Sequence, residues 1–141
     1  MTRVTLKKLL AAAPLLLATS ACDMMTAGPP PTDEVLIERF HEQREELEKL
    51  RESPFDEGLR QALGILDVRD FGGLGEEIRF AVWSVDFPGP GGADKGYAWR
   101  KTEPRELVES IDDTGSCGGP GLVDIHRPLE GSWYLYCWSA D

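Results

Sequence analysis

Apolar residues recur along this chain in distinct rhythms, and each rhythm predicts a different kind of element. From Asp33 to about Glu52 the spacing is helical: Leu36, Phe40, Leu47 and Leu50 share one face, with Gln43 in the remaining slot of the stripe. The other faces are rich in Glu, Arg and Lys, and Glu45 and Lys49 are placed to pair at i,i+4. Ser53-Pro54 has the form of an N-cap and first helical residue for a second, short helix that carries Leu59 and Leu63 and stops at Gly64.

Beyond Gly75 the rhythm changes. Ile78 to Phe87 is dense in β-branched and aromatic residues and predicts a strand apolar enough on both faces to be central in a sheet. A Pro/Gly loop follows, then a strand over Gly96 to Lys101. Pro104 to Ile111 predicts a short helix with Leu107, Val108 and Ile111 inward, and the Gly-rich run from Asp112 to Gly121 breaks regular structure. Leu122 to Arg127 and Trp133 to Trp138 predict two more strands around a hairpin at Glu130-Gly131. Helices first and strands later give an α+β fold. The N-terminal amphipathic helix is expected to pack on a roughly four-stranded antiparallel sheet, with short additional helices.

The chain begins differently again. Arg3, Lys7 and Lys8 precede an apolar run from Leu9 to Leu17, broken by Pro14, and then small residues from Ala18 to Ala21 lead to Cys22. The apolar run is about nine residues, where a bilayer span needs roughly 20, so residues 1–21 are expected to be an export leader. A thiol placed before a Pro/Gly-rich stretch has no core to enter. The run resembles the lipobox at which lipoprotein signal peptidase cuts before a lipidated cysteine, with Thr19 where leucine is commonest. Cys22 is therefore the expected lipidation site, its acyl chains contributing roughly 0.8 kcal/mol per buried methylene to membrane attachment. A conventional leader with a stray cysteine is the alternative. Asp23 resembles the residue that retains lipoproteins in the inner membrane of enterobacteria-like systems, so the inner rather than the outer membrane is expected, with the domain facing the periplasm. Residues 22–32, which include Pro29, Pro30 and Pro31, read as a Pro-rich tether. Residues 33–141 read as one small domain.

Charge and cysteine content refine this picture. The chain has 15 basic and 25 acidic residues, and loss of Arg3, Lys7 and Lys8 with the leader leaves 12 against 25, a charge of about −13. Such a surface excludes nucleic acid as a partner and favours a cationic protein. With Cys22 acylated, Cys117 and Cys137 remain, an even pair of the kind an oxidising compartment bridges. Cys137 as a buried apolar strand residue is the competing reading.

The run Lys95-Gly96-Tyr97-Ala98-Trp99, then Leu107-Val108-Glu109-Ser110-Ile111-Asp112, then Arg127-Pro128-Leu129-Glu130-Gly131-Ser132-Trp133-Tyr134-Leu135-Tyr136 resembles the ending of a group of short, uncharacterised proteobacterial lipoproteins. That ending has the form "KGYxY…LVxSLD…YRPIxGxWYLY". His126 stands where tyrosine is common in the group, and Cys117 and Cys137 are additions. The resemblance implies an architecture and a membrane address. It carries over no catalytic residue.

Candidate chemistry is sparse. His41-Glu42 lacks a second histidine at zinc-binding spacing and reads as a solvated helix pair. His126 alternates with Val123 and Ile125 and is expected to be half-exposed. Gly72-Gly73, Gly91-Gly92 and Gly118-Gly119 lack the Gly-Lys-Ser/Thr ending of a phosphate loop. Glu76-Glu77 and Asp112-Asp113 lack the alternating oxygens of a calcium loop and read as loop charges. No catalytic residue, metal ligand or cofactor is expected. Tyr134, Tyr136 and Trp138 share one face of the last strand, and Trp133, Leu135 and Cys137 share the other. The first row is a candidate binding surface; the competing reading has both rows filling a small core. The expected function is a non-catalytic interaction or accessory domain of the cell envelope, held on the membrane through Cys22. The alternative is an acidic inhibitor or immunity protein that captures a cationic enzyme or toxin.

Overall fold

The structure is a computed structural model in which residues 28–71 and 76–141 are described. The leader, Cys22, Asp23, the start of the tether and Gly72-Gly73 lie outside the described residues.

The helical pattern resolves into two helices rather than one. Thr32 caps α1 (Asp33–Glu42), its hydroxyl accepting from the Val35 amide at 3.3 Å, with acidic residues in the first turn and Arg39 and His41 in the last. At Gln43 the backbone leaves helical values (φ −112°, ψ 17°), and α2 (Arg44–Glu52) restarts from there. The break falls on the polar slot of the apolar stripe, so Leu36 and Phe40 before it and Leu47 and Leu50 after it are all buried. The next helix, α3 (Glu57–Leu63), is capped by Asp56 rather than Ser53: the Leu59 amide donates to Asp56 Oδ1 at 3.0 Å. Residues 53–56 form a turn instead, the Asp56 amide donating to the Ser53 carbonyl at 3.1 Å, and the helix starts only after it. Gly64, in the left-handed region at φ 68°, ends α3.

Five antiparallel strands follow: β1 (Asp67–Phe71), β2 (Glu77–Asp86), β3 (Gly92–Arg100), β4 (Val123–Glu130) and β5 (Trp133–Ala140), in the spatial order β1-β2-β3-β5-β4. The expected sheet lacked β1. It lacked the first residues of β3 as well. Between Ala81 and Trp83 the β2–β3 register shifts, and Gly96 sits against this irregularity. A Cβ on Gly96 would lie 2.1 Å from the Phe80 carbonyl oxygen, so the close approach requires glycine there.

No helix forms over Pro104 to Ser110. Instead Glu106 accepts from the His126 amide at 3.1 Å and the Val108 amide donates to the His126 carbonyl at 2.8 Å, a parallel bridge centred on Leu107. The outer edge of β4 has unpaired backbone groups, and satisfying them outweighs a one-turn helix. The helix at this point, α4 (Ile111–Thr114), begins where that pairing ends and is capped by Ser110.

Strand parity sorts the side chains onto two faces. On the face beneath α1 and α2, Phe40 packs on Tyr97 and Trp133 at ring separations of 6.0 and 5.8 Å. Polar tips are matched here: Tyr97 donates to the Leu36 carbonyl at 2.8 Å, and Trp133 Nε1 donates to Glu48 at 2.7 Å. Cys137, fully buried, is bonded to Cys117 and ties the Gly-rich loop to β5. Among the described residues no helix is long and apolar enough to cross a membrane.

Candidate functional site

The face of the sheet turned away from the helices collects charged and aromatic side chains from every strand. Register places Glu77 and Arg79 of β2 and Arg100 of β3 on this face. Asp124 and His126 of β4 join them, together with Tyr134, Tyr136 and Trp138 of β5. Gly96 and Ala98 occupy the middle of β3, so long side chains from neighbouring strands lie flat across it.

Glu77 is the hub. Its Oε1 accepts from Arg79 Nε at 2.6 Å and lies 3.2 Å from His126 Nε2, while its Oε2 accepts from Arg100 at 2.7 Å. Burial pushes this carboxyl up, but hydrogen bonds from His126 and Arg79 and the charges of Arg79 and Arg100 outweigh it and hold the pKa at about 2. An ionised carboxylate only accepts, so His126 Nε2 carries the hydrogen. Arg79 turns its other nitrogen to Asp124 at 2.9 Å, and its guanidinium lies over the rings of Phe71 at 4.7 Å and Tyr136 at 5.0 Å. Burial pushes the Tyr136 phenol above its ordinary value, so it is a neutral ring beneath this layer.

Two expectations need correction here. His126 is 2% exposed rather than half-exposed. The rings of Tyr134 and Tyr136 flank it at 6.0 and 6.4 Å, and the strand-like segment at Leu107 covers its backbone edge. Glu77 is a buried strand residue, not a loop charge. Within the aromatic row, Tyr136 is buried in the middle while Tyr134 and Trp138 are half-buried on either side. At the Trp138 end Arg69 lies over the indole at 5.7 Å and 3.5 Å from Asp94, which also accepts from the Ser84 hydroxyl at 2.7 Å.

A second cluster lies on the helix-covered face, where β3 meets α1 and α4. Lys95 is fully buried; its Nζ is 2.8 Å from Asp33 Oδ1 and donates to Asp112 Oδ1 at 2.8 Å and to the Pro31 carbonyl at 2.7 Å. Asp33 Oδ2 accepts from the Ile111 amide at 2.7 Å and from Arg127 at 2.9 Å. Burial raises the Asp33 carboxyl, but the bonds from Lys95, Arg127 and Ile111 outweigh it and hold the group below the ordinary aspartate value. Asp112, read from sequence as a loop charge, is thus part of a clamp that fastens the start of α1 to the sheet.

The concave spaces lie at the margins of these clusters. One of about 390 Å³ is lined by Leu107, Val108, Glu109, Arg127 and Pro128; another of about 250 Å³, on the uncovered face, includes Arg69, Asp86, Asp94 and Trp138. Neither includes His126 or Glu77. Among the described residues no group of three His, Cys, Asp or Glu side chains is arranged to hold a metal ion. His41 stays on the exposed surface of α1, its ring edge-on to Phe40.

Fold and site together define a small α+β protein whose antiparallel sheet is covered by helices on one face and by its own ion-paired and aromatic side chains on the other. No family model, curated protein or solved structure matches the chain.

Sequence reasoning found the aromatic row and missed its charged partners. Glu77 and Arg79, two apart in β2, share one face, a relation hidden when the strand is read from Ile78 and Glu77 as a loop charge. Nothing local points to Asp33, Lys95 and Asp112 meeting, because that contact is made only by the tertiary fold.

Proposed function

We propose that the protein is a membrane-anchored periplasmic lipoprotein whose domain is a non-catalytic interaction or accessory module of the cell envelope. The observation that carries this reading is the leader-like run of residues 1–21 directly before Cys22, with its basic start, short apolar run and small residues before the thiol. The likeness of the chain's ending to a group of proteobacterial lipoproteins supports it. In this reading the amphipathic segment from Asp33 to Glu52 packs across one sheet face and leaves the other for a partner. The disposition of the ionisable groups also supports it: His126 is engaged by Glu77, and Lys95 by Asp33 and Asp112. The address is the inner membrane, from Asp23. The test is to label cells with a fatty acid and fractionate the envelope. Acyl label on the wild type, absent from Cys22→Ser, supports the anchor; an unlabelled, freely soluble wild type sinks it.

A charge of about −13 beyond the leader, together with half-buried Tyr134 and Trp138, the latter with Asp94 and Asp124 as register neighbours, favours a second reading. This is an acidic inhibitor or immunity protein that captures a cationic enzyme or toxin. Affinity capture at low and high salt separates the two readings. A basic partner lost steeply with salt supports capture by charge, and a partner retained at high salt supports the accessory reading.

A further inference from the structure

The tether is shorter than its sequence suggests. Trp83 Nε1 donates to the Gly28 carbonyl at 3.1 Å and Lys95 Nζ to the Pro31 carbonyl at 2.7 Å, so residues 28–31 are already fastened to the sheet. Six residue steps separate Cys22 from Gly28. Fully extended, they reach about 20 Å.

One end of the sheet lies three residues of β3 beyond the strap, counted from Lys95 to Gly92. Asp86, Gly92 and Ala140 are register partners there, and β4 begins beside them with Val123 opposite Ser139. The loops at this end, residues 87–91 and 115–122, contain no charged residue although 28% of the chain is charged. They converge: Phe87, Gly118, Gly119, Pro120 and Asp141 line one concavity, and a Cβ on Gly118 would lie 3.3 Å from the Trp83 ring. Leu122, at their outer edge, is 80% exposed.

We propose that this end of the sheet rests on the lipid surface, with Leu122 and the Phe87 to Gly91 loop in contact with it; the inference depends on the anchor at Cys22 proposed above. The opposite end, at the Glu130-Gly131 turn, is one strand length away: β5 has 8 residues, about 27 Å. Lys95, which holds the strap, is opposite Cys137, four residues of β5 (about 13 Å) from Trp133, so a tether of about 20 Å reaches past either end. The uncharged loops select this end, against Glu130 and its ion pair with Arg44 at the other. The two loops carry no Lys or Arg, and Asp86 and Asp141 stand beside them. The contact therefore rests on apolar burial, not on attraction to anionic headgroups, and salt leaves it unchanged. The ion-paired face then stands away from the bilayer plane, open to a partner in the periplasm.

The test uses the full lipidated protein on vesicles of neutral phosphatidylcholine, with nitroxide labels on Leu122→Cys and, separately, Glu130→Cys. The expected result is that the label at 122 collides with lipid-dissolved oxygen and is shielded from a water-soluble nickel chelate, while the label at 130 shows the reverse. Equal exposure of both labels to the chelate, on protein that carries its acyl chains and floats with the vesicles, overturns the orientation and leaves the anchor standing. Wild-type protein with no acyl group on Cys22 by intact mass overturns the anchor, and the orientation falls with it.

Discussion

Under the helices the sheet carries Phe80, Tyr97, Trp133 and Leu135; on the opposite face the same strands carry Glu77, Arg79, Arg100 and Tyr136. Both sets are withdrawn from water, but by different means. The first is dry because α1 and α2 lie over it, and its stability scales with apolar area at roughly 25 cal/mol per Å². The second has no helix over it. Its long side chains lie across Gly96 and Ala98, stack on the rings of Phe71 and Tyr136, and neutralise one another. Apolar packing is non-directional and depends on volume. An ion-paired layer is directional, and loss of one member strands the others.

Volume should dominate on the covered face. Phe40→Ala removes a fully buried ring from between Tyr97 and Trp133, and should cost about 3–5 kcal/mol in chemical denaturation. A cost below about 1 kcal/mol would mean that α1 contributes little to this core. Opening the Cys117–Cys137 bond, with a sequence separation of 20, should cost about 3 kcal/mol in the chain-entropy model. Comparing the melting of Cys117→Ala/Cys137→Ala with the wild type measures it.

On the other face the matching experiment is Glu77→Gln. The substitution keeps the shape and removes the charge that holds Arg79, Arg100 and His126. A loss of about 2–3 kcal/mol is expected. Changing Glu77 and Arg79 together to apolar residues of similar volume should recover part of it, which no cavity-creating change on the covered face would do. The same residue sets an acid limit. Glu77 is held at about 2 against an ordinary 4.5, so its contribution is complete above about pH 4.5 and is lost as the pH falls from there towards 2. Asp33 and Glu48, also held low, weaken in the same direction. In thermal melts between pH 7 and 2 the Glu77→Gln variant should show a flatter decline than the wild type over that window.

How legible each face was follows from the same contrast. Leu36, Phe40, Leu47 and Leu50 announce themselves by spacing, and so do Trp133, Leu135 and Cys137, because apolar burial leaves a periodic trace. β1 left almost none. Of Asp67 to Phe71 only Val68 is buried, and the strand exists because its backbone pairs with β2. His126 looked half-exposed because its alternation with Ile125 faces it away from the helices, and sequence cannot show that Glu77 and two tyrosine rings close over it. Leu107, Val108 and Ile111 suggested a helix, but the open edge of β4 took that segment as an extended partner. In each case a nonlocal backbone or charge partner overrode the local pattern.

The smallest effect tests where the ion-paired layer stops. Arg69 lies over Trp138 and 3.5 Å from Asp94, yet its side chain is 48% exposed, whereas that of Arg79 is 7% exposed. Water screens the outer arginine and competes for its donors, so Arg69→Ala should cost no more than about 1 kcal/mol, within the range of exposed ion pairs and cation–π contacts. Asp94 keeps its hydrogen bond from Ser84 when Arg69 is lost, which limits the penalty further. The Arg79→Ala loss should be at least twice that of Arg69→Ala, because Glu77 and Asp124 both lose their shared partner. Equal losses at the two positions would show that the layer extends undiminished to the Trp138 end. A near-zero loss at Arg69 would leave that end, with its half-buried indole and two carboxylates, as the part of the face best able to exchange an internal cation for one from a partner.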